Sequence, residues 1–140
     1  MKLELITLIG KKLDKDVYEV VLPTADGEIA VFPGHEPLIT LAVPGVIAVR
    51  HNKSDVDFEY FATSGGVIEV SPTLVRVLVD EADHGEEIIE SEAKAALERA
   101  RAMQANAKDQ VELEEAHQLV DRHAVRLKVA ELRRRYHRNQ

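Results

Sequence analysis

Cysteine and tryptophan are absent from this chain, and aromatic residues fill only 4% of its 140 positions. Without thiols there is no disulfide, no thiolate zinc site and no cysteine nucleophile, a pattern that fits a reducing compartment. With so few rings, any core must be built from aliphatic side chains. Long apolar runs are missing too: no segment approaches the ~20 residues that span a bilayer, so direct membrane insertion is not expected. The start, Met1-Lys2-Leu3-Glu4-Leu5, places a glutamate where a secretory leader would be apolar. A G-x-x-x-x-G-K phosphate loop is also lacking, which excludes that type of nucleotide-hydrolysing site.

What remains is acidic, and unevenly so. Residues 1–121 carry 24 acidic and 11 basic side chains, a net of −13, whereas residues 122–140 carry one acidic (Glu131) and seven basic, a net of +6. A phosphate backbone needs a positive surface, and only the last helical turns supply one, so nucleic acid is not an expected partner of the body. The length and the 45% hydrophobic content allow one core and a small appended element.

The hydrophobic period changes once. Short Val- and Ile-rich runs recur at residues 3–8, 17–22, 29–32, 46–50, 58–62, 67–70 and 74–79. Turn residues separate them, among them Asp26-Gly27, Pro33-Gly34, Pro44-Gly45, Ser64-Gly65-Gly66 and Ser71-Pro72. Closely spaced strands with such turns predict an all-β sandwich or barrel, with no room for helical crossovers. After Asp80 the composition switches to Glu, Ala, Lys, Arg and Leu. A first helix is predicted over 87–105, rich in alanine and acidic at its N-terminal end. Residues 106–110 form a polar break with Asp109 as its N-cap, and a second helix follows over 111–135. Leu113, Ala116, Val120, Ala124, Leu127 and Glu131 recur every three or four residues, a stripe that packs on its own hairpin partner or the sandwich, or docks another chain. The predicted fold class is an all-β N-terminal sandwich, residues 1–84, followed by a C-terminal antiparallel α-helical hairpin, residues 85–140.

Gly27-Glu28-Ile29-Ala30-Val31-Phe32-Pro33-Gly34-His35-Glu36-Pro37-Leu38 sets two prolines, two glycines and a histidine among apolar positions. Gly27 and Gly34 suit positive φ and the prolines fix φ, so the stretch reads as a shaped, rigid loop between strands. It resembles the G-x-x-x-x-x-P-G-H-x-P-L signature of the epsilon subunit of F-type ATP synthases. Val43-Pro44-Gly45-Val46-Ile47 and the run from Ser64-Gly65-Gly66 to Val77-Leu78-Val79-Asp80 extend the resemblance, and the helical hairpin completes it over nearly the full length. Ala30 departs mildly, at a place where relatives commonly carry a second glycine.

The resemblance implies a rotary central-stalk subunit with no active site of its own. It implies that the sandwich sits against a gamma subunit and a membrane ring of c subunits, with Phe32, Pro33, Gly34, His35, Glu36, Pro37 and Leu38 as the contact. It also implies that the hairpin either folds down or extends to the alpha and beta subunits of the catalytic head and inhibits ATP hydrolysis. Arg122, Arg126, Lys128, Arg133, Arg134, Arg135 and Arg138 would then attract acidic segments of the head. Read as residues alone, the same cations complement a helix C-terminus and stay solvated. The implied location is peripheral, on the cytoplasmic face of a bacterial plasma membrane or the stromal face of a thylakoid.

Some relatives bind ATP through Ile/Leu-Asp-x-x-Arg-Ala near the start of the first helix. Here the place reads Ile89-Glu90-Ser91-Glu92-Ala93-Lys94, lacking the arginine and adding a carboxylate, and a looser match lies around Arg99. Glu90 and Arg99 are the nucleotide candidates, and direct sensing of ATP is not expected. No cofactor or metal is expected either: in His35-Glu36-Pro37-Leu38-Ile39, isoleucine stands where the second zinc-binding histidine would be. His35 is expected to bond within its own loop, and His117 and His123, six apart on a helix, are expected at the surface. Two other readings stay open. One is a small β-barrel acid–base enzyme using His35 with Glu36 or Asp26, and the other a basic-tailed adaptor for polyanions.

Overall fold

The structure, a computed structural model, describes residues 1–138, with side chains through Arg135. The Arg138 side chain and the last two positions of the expected hairpin lie outside the described residues. Ten strands come first: β1 (Lys2–Thr7), β2 (Gly10–Asp16), β3 (Glu19–Thr24), β4 (Gly27–Val31), β5 (Leu38–Ala42), β6 (Gly45–Arg50), β7 (Glu59–Thr63), β8 (Gly66–Val70), β9 (Leu74–Val79) and β10 (Ala82–His84). A 3₁₀ turn (Gly85–Glu87) leads into α1 (Glu90–Ala105) and α2 (Gln110–Arg138).

The strands form two layers that share one hydrogen-bonded path. β10, β7, β6 and β3, with β4 alongside β3, make the first layer, and β5, β8, β9, β1 and β2 make the second. The layers join through a single β3–β5 pair, Thr24 with Ala42. All ladders are antiparallel except β1–β9. Alternation then sends Val20, Leu22, Ile47, Val49 and Phe61 inward from one layer and Leu3, Leu5, Ile68, Val75 and Val77 from the other. Each such side chain, fully buried, contributes roughly 1.5–3 kcal/mol relative to an exposed one. Aliphatics carry this core, with Phe61 its one ring.

Three strands were not anticipated. β2 (GKKLDKD) turns only Leu13 inward. Its charged residues mark a guarded sheet edge, where Lys2 and Lys11 lie 3.2 and 3.1 Å from Asp14. Those two lysines, Lys11 foremost, hold the Asp14 carboxyl below the usual carboxylate range. β5 begins at Leu38, inside the stretch expected to be loop, and β10 is only three residues long. The first half of that stretch is likewise strand β4, so the loop proper is residues 32–37. Gly27 (φ 113°) and Gly34 (φ 86°) take the positive φ expected of them.

The first helix begins three residues later than predicted, because residues 85–87 tighten into the 3₁₀ turn. α2 starts as expected: Asp109 Oδ1 accepts from the Glu112 N–H at 2.8 Å, while Glu112 Oε2 accepts from the Lys108 N–H at 2.8 Å. The hairpin lies down on the first layer. Val129 and Ala130 of α2, Ala93 of α1, Ile88 and Ala62 form a second buried cluster, bordered by Val46, Tyr60, Val125 and Leu127.

Candidate functional site

Two surfaces of the sandwich and one junction concentrate the groups that could meet partners. The loop after β4 is held rigid by its own bonds. The Gly34 N–H donates to the Pro72 carbonyl at 2.8 Å, tying the loop to the β8–β9 turn. His35 Nδ1 donates to the Glu36 carbonyl at 2.7 Å, so this histidine fixes its own turn as expected. Phe32 meets Tyr18 edge to face at 5.6 Å. Phe32, Pro33, Gly34, Glu36, Pro37 and Leu38 are exposed and His35 is half-buried, so the predicted contact residues share one end of the sandwich. None of the three grooves below is lined by His35, Glu36 or Asp26.

The second surface escaped the sequence analysis. On the outer face of the second layer, Leu41 pairs with Val67, Val67 with Leu78, and Leu78 with Ile6. This apolar row crosses four strands; Leu41 at its β5 end is 63% exposed, and Ile39, which heads the neighbouring row opposite Glu69, is 75% exposed. The neighbouring row is charged: Arg76 lies 3.3 Å from Glu4 and 3.5 Å from Glu69. Beyond the row, Leu8 and Ile9 stand exposed in the β1–β2 turn. β5 is apolar on both faces, which was the available signal, but Leu38–Ala42 follows the Pro37 turn so closely that its period is hidden.

The junction between sandwich and helices is built around Gly85. A Cβ there would come 2.6 Å from Arg133 Cδ and 3.1 Å from the Tyr60 carbonyl oxygen, so a side chain at this position would displace Arg133 and loosen the seat of α2. Arg133 donates to the Gly85 carbonyl at 2.7 Å, His84 Nδ1 accepts from the Glu86 N–H at 3.0 Å, and Lys12 Nζ lies 2.7 Å from Glu87 Oε1. A groove of about 560 Å³ runs past His84, Gly85 and Arg133. On its wall burial, with Asp57, pushes the Tyr60 hydroxyl above its usual pKa.

The basic residues of α2 are largely engaged with their own chain. Arg122 lies 3.0 Å from Glu81, Arg126 3.3 Å from Asp83 and Arg134 3.4 Å from Glu90. Lys128 and Arg135 are exposed and make no ion pair among the described residues. Arg122 and Arg126 also border a groove of about 680 Å³ between α2 and the sandwich, lined by Asp80, Glu81, Asp83 and Asp121. Of the predicted stripe, Ala116 is buried, Val120, Ala124 and Leu127 are half-buried and Leu113 is exposed. The stripe left out Val129 and Ala130, which are buried, because a helix covered by both a partner helix and a sheet buries a wider arc than one stripe.

The same geometry corrects the expectation for His123. His117 is exposed and pairs with Asp121 at 3.4 Å, but His123 is half-buried in a groove of about 410 Å³ between the helices. Of the nucleotide candidates, Glu90 opens α1 beside Arg134, and Arg99 stands on the wall of the His123 groove, nine residues further on.

Residues 1–85 match the family described as ATP synthase, Delta/Epsilon chain, beta-sandwich domain. The chain is 35% identical over 134 residues to an ATP synthase epsilon chain from Herpetosiphon aurantiacus, covering 96% of both. To an ATP synthase epsilon chain from Neisseria meningitidis serogroup C it is 35% identical, covering 84% of this chain and 83% of the other. Among solved structures, a chain of the Euglena gracilis mitochondrial ATP synthase superposes with a TM-score of 0.78 at 25% identity, over 93% of this chain and 79% of that one. A chain from the Tetrahymena thermophila mitochondrial ATP synthase, in a structure of its central stalk and c-ring, shares the fold with a TM-score of 0.60 at 14% identity.

Proposed function

The chain belongs to the ATP synthase delta/epsilon family and is a non-catalytic subunit of the epsilon type; from that premise we propose that it links rotation to ATP synthesis through its sandwich and restrains ATP hydrolysis through its helices. The observation that carries the reading is a division within the molecule. The main core draws on residues from Leu3 to Ala82 and on none from the helices. The hairpin is held down by one small apolar cluster and by the Arg122–Glu81 and Arg126–Asp83 ion pairs, which water can replace. A part held this weakly can leave and return while the rest stays folded.

The sandwich meets two partners on this reading. The apolar row from Leu41 to Ile6, with Ile39, docks the gamma subunit, since an exposed apolar strip beside a charged row is the composition of a protein interface. The rigid loop Phe32–Leu38 faces the c-ring, where a fixed shape transmits torque better than a mobile one. The subunit is thus a peripheral component on the cytoplasmic or stromal face of its membrane, held there by gamma and the ring. Among the described residues no helix is long and apolar enough to cross a bilayer.

In the docked state Arg122 and Arg126 are neutralised by Glu81 and Asp83 of the sandwich, while Arg134 pairs with Glu90 within the hairpin. Release exposes the Arg122 and Arg126 guanidiniums to acidic segments of the alpha and beta subunits, so docking and inhibition compete for the same cations. Deleting residues 86–140 should leave assembly intact and raise the ATP hydrolysis rate of the reconstituted complex. Hydrolysis unchanged by the deletion would remove the inhibitory role.

A further inference from the structure

His123 sits where α1, α2 and β10 approach one another. It lines the groove of about 410 Å³ with Glu92 and Arg99 of α1 and Arg126 of α2. Its Nδ1 is buried with no hydrogen-bond partner among the described residues, and so is Arg126 Nε. Three cations stand around it, Arg122 and Arg126 of its own helix and Arg99 of α1, with Asp83 of β10 and Glu92 on the groove wall as acids and Glu81 paired to Arg122. Asp83 is already shared with Arg126 at 3.3 Å. A neutral imidazole is tolerated in such a place. An imidazolium would bury an N–H with no acceptor and crowd the arginines.

We propose that His123 is a proton-operated latch on the hairpin: neutral, it lets α2 lie between α1 and the sandwich, and protonated, it adds one positive charge too many beside Arg99, Arg122 and Arg126 and releases the helices. Burial, then Arg122, Arg126 and Arg99, hold the docked imidazole below its ordinary value of 6.5, with Asp83 opposing. When the helices come away from each other and from the sandwich, the ring leaves that burial and Arg99 behind, and its pKa rises toward the ordinary value. The released state therefore takes up the proton first. The neutral ring's contribution to docking is fully present well above pH 6.5 and is lost as the pH falls below it, by up to about tenfold per pH unit until the docked ring itself protonates.

Other histidines near the junction have different partners. His51 and His84 share the Glu59 carboxylate at 2.9 and 3.0 Å, so charging either ring strengthens that bridge. A proton on His84 Nδ1 would at the same time remove the acceptor of the Glu86 N–H. Variants at position 123 separate these effects. That acidification frees the hairpin for the catalytic head rests on the function proposed above, but the latch belongs to the chain alone and is tested there.

The absence of cysteine allows clean labelling of the full chain through Lys53→Cys in the β6–β7 loop and Arg101→Cys on the exposed face of α1. The distance distribution between the labels should shift from docked to released between about pH 7.5 and 5.5, a window above carboxylate titration. His123→Gln should remove most of that shift, and His123→Arg should be largely released at both ends. A shift that persists unchanged in His123→Gln, or docking that tightens on acidification, overturns the latch. An NMR titration of the unmodified chain gives a second reading that needs no variant to fold: His123 titrating at or above 6.5 would also overturn it. The deletion assay described above tests inhibition without touching this result.

Discussion

At Gly66 the fold admits no side chain. A Cβ there would fall on the Leu78 carbonyl of β9, and the backbone atoms it meets cannot turn aside. Gly66→Ala should therefore push β8 off β9 and destabilise the sandwich by about 2–3 kcal/mol, read as a lower midpoint in urea unfolding. Gly27 gives the contrast: a Cβ meets nothing within 4 Å, but its φ of 113° strains any other residue. Gly27→Ala should lose about 1–2 kcal/mol without disturbing neighbours. Single residues were legible in the sequence where they act through their own backbone. Gly27, Gly34 and the self-bonded His35 behave as their residue types dictate. His123 was illegible because its surroundings come from Arg99 and Asp83, 24 and 40 residues away in the chain.

Among the elements, α2 decides the behaviour of the hairpin. Gly85 permits its close approach, so Gly85→Ala should weaken docking by about 1 kcal/mol while the sandwich melts normally. Arg133→Ala, which removes the bond to the Gly85 carbonyl, should act in the same direction by about 1–2 kcal/mol. Faster amide exchange in α2, with exchange in β8 and β9 unchanged, is the expected signature of both. The helices could be read from composition because alanine, the acidic start and the Asp109 cap are local signals. β2 could not, since a strand with Leu13 as its lone inward residue carries no period to detect. β5 was hidden although it is apolar on both faces, because it follows the Pro37 turn directly and its period is masked. That second apolar face is the proposed gamma-binding surface, so the least readable strand carries an important part of the site.

Taken whole, the molecule is a sandwich with a two-helix arm laid on one of its layers. The arm carries a positive net charge at its end, and the sandwich offers Glu81 and Asp83 to receive it. Composition showed the charge asymmetry, but only the fold shows that the two signs meet within the chain. If the outer apolar row is the gamma surface, Ile39→Asp with Leu41→Asp should weaken gamma binding at least about tenfold without altering thermal stability, because both side chains already face solvent. The same double substitution should leave the hairpin docked, since β5 lies in the layer opposite to α2.

Calorimetric titration of a purified gamma subunit with the full chain, and with a chain ending at residue 85, tests the division of labour most directly. Equal affinity for the two, lost in both on Ile39→Asp with Leu41→Asp, is the predicted result. Binding that requires the helices, or that ignores the substituted row, would contradict it.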